Sequence, residues 1–242
     1  MKRAGIDRLR GITGRWWKAG LLAGTAVVVV GGFAVWGALF GGQGQAGYQP
    51  PEVPAPRLTP DQYRAVIADV FGPHIDLGGR FEPGMRVSGL LTVGASSVTV
   101  SAAGMEQYDK MADAIAEQVV VEVANRKVML PCEPASPTAP DDACARAFLE
   151  PVGEFLFRRP LQADELDGFV AAANVAGTAL GDFHAGLAMS LSAMLSSPQF
   201  LFRVPVVEPD PARRGGSRLN PWSKASRLSF FLWNAPPDRL LL

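Results

Sequence analysis

Apolar positions along this chain fall first into one unbroken run and then into stripes that recur every three or four residues. The unbroken run is Ala19 to Phe40, about twenty-two residues, and no charged residue occurs from Ala19 to Pro51. A helix needs roughly 20 apolar residues to cross the hydrocarbon core, so this run predicts a membrane-spanning helix. Trp16, Trp17 and Trp36 lie at its two ends, where amphipathic rings favour the headgroup region. A cleaved signal peptide is the competing reading, but its apolar core would be shorter, and only the weak site Gly44-Gln45-Ala46 follows. Gly41 to Pro56, GGQGQAGYQPPEVPAP, then reads as a linker, flexible at first and stiffer where prolines cluster.

Stripes of helical period begin at Thr59. Thr59-Pro60-Asp61-Gln62 supplies a hydroxyl N-cap, a proline at the first helical position and a Gln at the capping-box position. Tyr63, Val66, Ile67, Val70 and Phe71 follow as the buried face, and Gly72-Pro73 stops the helix. No helical period is sustained from Ile75 to Val100, although Ser97 to Val100 reads as a short strand or an extended lead-in. A second helix is predicted from about Ala102 to Asn125, with Met105, Tyr108, Met111, Ala112, Ile115, Val119 and Val123 as its stripe. After a proline-rich loop, Arg126 to Asp141, a helix over Asp142 to Arg158 should kink at Pro151. Further helices are expected at Ala163 to Val175, with Glu165 placed for capping, and at Phe183 to Ser196. Val204 to Asn220 reads as a connector, and a last helix starts at Pro221. The fold class is therefore mainly α, with one transmembrane helix followed by an extracytoplasmic multi-helix body with little β structure.

Charge fixes the orientation. Six basic residues, Lys2, Arg3, Arg8, Arg10, Arg15 and Lys18, face one acid, Asp7, before the apolar run. The positive-inside rule places that leader in the cytoplasm beside anionic lipid and the remainder outside, in the periplasm or beyond. The whole chain is neutral, so the remainder carries the opposite excess, which argues against nucleic-acid binding. Cys132 and Cys144 are the entire cysteine content. In an oxidising compartment such a pair is most simply a disulfide. A metal site would need further ligands, and only His74 and His184 exist, without clustered spacing. No CxxCH occurs, so haem enters only on a partner.

Three segments carry a family resemblance. Arg57-Leu58-Thr59-Pro60-Asp61-Gln62-Tyr63, followed by Val66 to Gly72, is similar to the opening of the module called PSD three. Cys144-Ala145-Arg146-Ala147-Phe148-Leu149, Phe155 to Leu161 with Glu165, and Leu195 to Val204 resemble PSD five. Ser226-Arg227-Leu228-Ser229-Phe230-Phe231-Leu232-Trp233 with Pro236-Pro237-Asp238 resembles the start of PSD four, domain of unknown function fifteen-ninety-two. The resemblance implies an exported protein of the planctomycete type, often associated with c-type cytochromes, with no established chemistry. Gln162 and His184 depart from the pattern, which has Thr and commonly an acid there. The organisation expected is a leader at 1–18, an anchor at 19–40, a linker at 41–56, helical modules at 57–130 and 131–204, and a connector with the start of a further, truncated module at 205–242.

Candidate chemistry is sparse. Nucleophile elbows, Walker loops and zinc-protease motifs are missing from the sequence. Arg158 and Arg159 could hold an anion, but basic residues closing a helix also complement its dipole, the preferred reading. Arg203 is expected to pair with a buried acid, His184 is a base without a visible partner, and Glu150 and Glu154 are two acids on one helical face. The terminal helix is the most unusual feature. Phe230, Phe231, Trp233, Leu240, Leu241 and Leu242 would leave an apolar patch, which marks a partner surface or a missing piece. The preferred function is a membrane-anchored exported scaffold or accessory subunit of a redox or cell-surface complex, without a catalytic site of its own. Its partners would be membrane lipid, c-type cytochromes or other PSD-module proteins. A fragment of an exported enzyme, polysaccharide-related or cytochrome-linked, and a surface glycan-binding module are the alternatives.

Overall fold

A computed structural model describes residues 55–83, 88 and 100–242, all within one compact unit, Val53–Leu242. The expected membrane span, leader and linker up to residue 54 lie outside the described residues, as does most of the expected strand before Val100. Within the described residues no helix is long and apolar enough to cross a membrane.

The body is mainly helical. Helix α1, Pro60–Phe71, opens with the capping box its sequence predicts: the Gln62 N–H donates to Thr59 Oγ1 at 3.3 Å, and the Thr59 N–H donates to Gln62 Oε1 at 3.1 Å. Helix α2 spans Ala102–Ala116, capped by the Ser101 hydroxyl, and passes into a π-helical turn, Glu117–Val121. Glu122 is extended, with ψ 119°, and a separate short helix α3 runs Val123–Met129. The single helix expected through Asn125 is therefore two. The Val119 to Val123 stretch looks like a continuing stripe, but Val119 and Val120 are buried while Val123 points to solvent. The π turn supplies the change of face.

Helix α4, Asp142–Phe157, is capped by Asp141 and runs unbroken through Pro151. Helix α5 extends over Ala163–Leu180, five residues beyond the end expected at Val175, and closes on Gly181 in the left-handed region. Gly177, which reads as the start of a turn, stays helical where the following helix packs against it, and the positive φ at Gly181 supplies the stop. Helix α6, Phe183–Ser196, packs against both α5 and α2, which explains why its sequence is apolar nearly all round. Its Gly186 lies against the α5 backbone: a Cβ there would collide with Ala173 O and Gly177 N. A short helix α7, Pro198–Leu201, completes this part. The connector expected from Val204 holds a small antiparallel hairpin, β1 Val207–Pro209 with β2 Ser217–Leu219, Val207 opposite Leu219. Helix α8, Pro221–Leu232, follows with Asn220 as N-cap.

One hydrophobic cluster runs through α1 to α8. Tyr63 of α1 sits at its centre, edge-on to Phe200 of α7 with ring centroids 5.1 Å apart. An isolated antiparallel bridge, Arg57 to Phe202, ties the two ends of this core together. Leu58 N–H donates to Leu201 O, and Arg203 N–H donates to Pro56 O, both at 2.9 Å. Cys132 and Cys144 form a disulfide, which pins the proline-rich loop to the first turn of α4.

Candidate docking surface at the C-terminal helix

Helix α8 presents one face inward and another to solvent. Ser223, Ser226, Ser229 and Phe230 are buried, so three small hydroxyls let the helix approach the body while one aromatic anchors it. Phe230 is only 4 % exposed, packed under the Arg203 guanidinium, whose Cζ lies 5.1 Å from the ring centroid. Phe230 thus belongs to the core and leaves the expected partner surface. Its neighbour lies on the opposite side of the helix: Phe231 is 84 % exposed, Trp233 64 % and Leu240 97 %. Leu228 and Leu232 are also exposed, Leu241 lies at the edge of exposure and Leu242 is half-buried.

The turn after α8 is built with care. Ser229 Oγ donates to Ala235 O at 2.8 Å, and Gln62 Nε2 donates to Asn234 Oδ1 at 2.8 Å, which ties the turn to α1. Asp238 Oδ1 then accepts from Leu240 N–H and Leu241 N–H. The result is a cleft of about 480 Å³ walled by Trp233, Pro236, Leu240 and Leu241. On its other side Pro236 and Pro237 roof a second cavity of about 540 Å³ against Phe71, Phe148 and Phe155. Arg239 stacks on the Phe155 ring at 5.0 Å, and partial burial raises the Asp69 carboxyl above its ordinary value.

The other residues singled out in the sequence are scattered. Arg158, 4 % exposed, ends α4 at φ 58° and turns its guanidinium inward. It donates to Leu156 O and Gln199 O at 2.8 Å and to Phe202 O at 2.9 Å. These are carbonyls that the ends of α4 and α7 leave without intrahelical partners. Arg158 is thus a structural cap shared by two helices. Arg159 forms a two-pronged ion pair with Glu165, each N–O distance 2.7 Å, and Glu165 Oε2 also accepts from the Gln162 N–H. The arginine beside it, first by its hydrogen bonds, holds the Glu165 carboxyl below the usual range. Arg203 meets no acid: the described ion pairs omit it, and its Nε is buried without an acceptor. The expected buried carboxylate is replaced by the Phe230 ring.

His184 is buried, edge-on to Phe183, with Nε2 lacking a partner. Burial, helped by the positive charge of Arg126, lowers its pKa, so the ring is neutral at pH 7. Asp182 Oδ1, 3.9 Å from Nδ1, is too far for a hydrogen bond and instead accepts from the His184 and Ala185 backbone N–H groups. Glu150 is exposed and Glu154 half-buried on α4, and the ion pairs among the described residues join neither of them to His184 on α6. Among the described residues no cluster of three potential metal ligands occurs.

Sequence comparison places the body in a family. The family model PSD3, Protein of unknown function (DUF1587), matches residues 57–121, and PSD5, Protein of unknown function (DUF1595), matches residues 144–204. The chain belongs to the PSD family. The PSD3 match covers α1 through the π turn, and the PSD5 match covers α4 through α7. Residues of both matches share the one hydrophobic cluster, and the Arg57 to Phe202 bridge joins the start of the first to the end of the second. Helix α8 lies beyond both matches. No curated protein and no solved structure matches the chain.

Proposed function

We propose that this PSD protein is a membrane-anchored, exported scaffold or accessory subunit, and that the outer face of α8 docks a partner protein. The observation that carries this reading is the exposure of Phe231, Leu232, Trp233 and Leu240, with Trp233 and Leu240 walling one cleft. Large aromatics exposed together are the residues that anchor interfaces. The adjoining cleft offers an apolar slot for a projecting side chain of the partner. The anchor rests on the apolar run of Ala19 to Phe40 and the basic leader before it. Export is supported by the Cys132–Cys144 disulfide, a bond that persists in oxidising compartments. The partner is another exported protein, and the family resemblance points to a c-type cytochrome or a second PSD-module protein. Any haem in the assembly belongs to that partner.

The test is a mild-detergent pull-down of the natively expressed protein and of a Phe231→Asp, Trp233→Asp double variant. The parent should retain a c-type cytochrome or PSD-module protein in comparable amount. The variant should lose it while keeping the parent's melting temperature, because both side chains already face water. Recovery of the parent alone, or equal recovery by the variant, sinks the reading.

A further inference from the structure

We propose that a cleft between the end of α4, the segment leaving α7 and the first turns of α8 binds a small, doubly charged tetrahedral oxyanion, phosphate or sulfate free in solution. The cleft has a volume of about 200 Å³, and its described lining includes Arg158, Arg159, Arg203 and Arg227 but neither Asp nor Glu. Glu165 neutralises Arg159 from the far side. None of the ion pairs among the described residues engages Arg158, Arg203 or Arg227.

These three cations play different parts. Arg158 spends its donors on backbone carbonyls, so it contributes charge to the cleft rather than a free hand. Arg203 is fixed over Phe230 with its Nε shut away from any acceptor, and Arg227 stands exposed at the rim. Burial, and then the neighbouring Arg203 and Arg159 charges, draws Arg158 down to about 9, which still leaves it charged at neutral pH. Burial and then Arg227 lower Arg203 in the same way.

Like charges collected around a concave space destabilise the body unless an anion joins them, and a ligand that binds only the folded state returns that stability. The neutral partners suit an oxyanion too. Ser223 Oγ accepts from the Val206 N–H at 2.8 Å, which leaves its own hydroxyl proton to donate. The N-terminal turn of the twelve-residue helix α8 opens on the same cleft, with Asn220 as its cap, and adds a partial positive charge. Guanidinium forks match phosphate and sulfate oxygens in pairs. A monocarboxylate would leave most of the positive charge unmatched.

The experiment uses the full chain in mild detergent. Its melting temperature is followed as inorganic phosphate, sulfate, acetate or chloride is added at matched ionic strength, and phosphate binding is read from 31P line broadening. Phosphate and sulfate should each raise the melting temperature in a saturable way that acetate and chloride do not reproduce. Arg227→Gln, a change at an exposed position, and Arg203→Gln should each weaken phosphate binding by about tenfold or more, the usual loss for a charge-assisted hydrogen bond. Arg203→Lys, which keeps the charge, should weaken it less than Arg203→Gln. A phosphate effect no larger than that of chloride overturns the proposal. So does parent-like phosphate affinity in both Gln variants.

Discussion

Arg158 and Arg159 are adjacent in sequence and do opposite things with the same side chain. Arg159 reaches half-exposed Glu165 and makes an ion pair whose value depends on the carboxylate being charged. Because the folded state holds Glu165 below its unfolded value, the pair contributes stability that is complete above the ordinary glutamate pKa, about 4.3, and fades as pH falls through the folded value. Glu165→Gln should therefore lower stability at neutral pH and flatten the acid limb below about pH 4, as read from urea midpoints across pH. A parent and variant with parallel acid limbs would refute it. Glu165 was legible in sequence, since an acid three residues into a helix is a capping signal. Arg158 was not, because its acceptors are backbone carbonyls, one in its own helix and the others more than forty residues downstream, and leave no side-chain signature. Arg203 misled for the same reason: a buried arginine suggests an acid, and here the compensating group is an aromatic face.

At the scale of elements, helix starts were readable and changes of face were not. Thr59, Asp141, Asp182 and Asn220 each accept a first-turn N–H, and each helix begins beside its cap. The break at Glu122 has no Gly or Pro to announce it; it arises because the π turn rotates Val123 out of the core. The docking helix shows a similar limit, since Phe230 and Phe231 are alike in sequence and only packing decides which is core. Helix crossing supplies the sharpest test. Gly186 of α6 lies against the backbone of α5, which cannot yield as a side chain would, so Gly186→Ala should cost about 3 kcal/mol by overpacking. Gly168, in the interior of α5, has open space around it. Gly168→Ala should add roughly 0.5–1 kcal/mol through helix propensity. Chemical denaturation of both variants checks the pair, and opposite signs are the expected result.

For the whole molecule, the important fact is that two family-matched stretches share one interior. Tyr63, Val66 and Phe71 from the first are buried, and Phe148, Leu187 and Phe200 from the second are fully enclosed with them. Residues 57–121 produced alone would expose that face to water. They should show no cooperative thermal transition by circular dichroism, whereas the full chain should show one; a sharp melt of the isolated stretch would count against a shared core. The composition predicted helices and their order, but not that the two stretches would be joined, because the joint is a backbone bridge independent of side-chain identity. That bridge also has a mechanical consequence. Because Arg57 and Phe202 pair antiparallel, the segments before Pro56 and after Arg203 emerge side by side. A pull between the segment before Pro56 and the hairpin after Arg203 loads the Arg203–Pro56 hydrogen bond first and the Leu58–Leu201 bond next. Tension then peels these bonds open in sequence, like a zip rather than a lap joint.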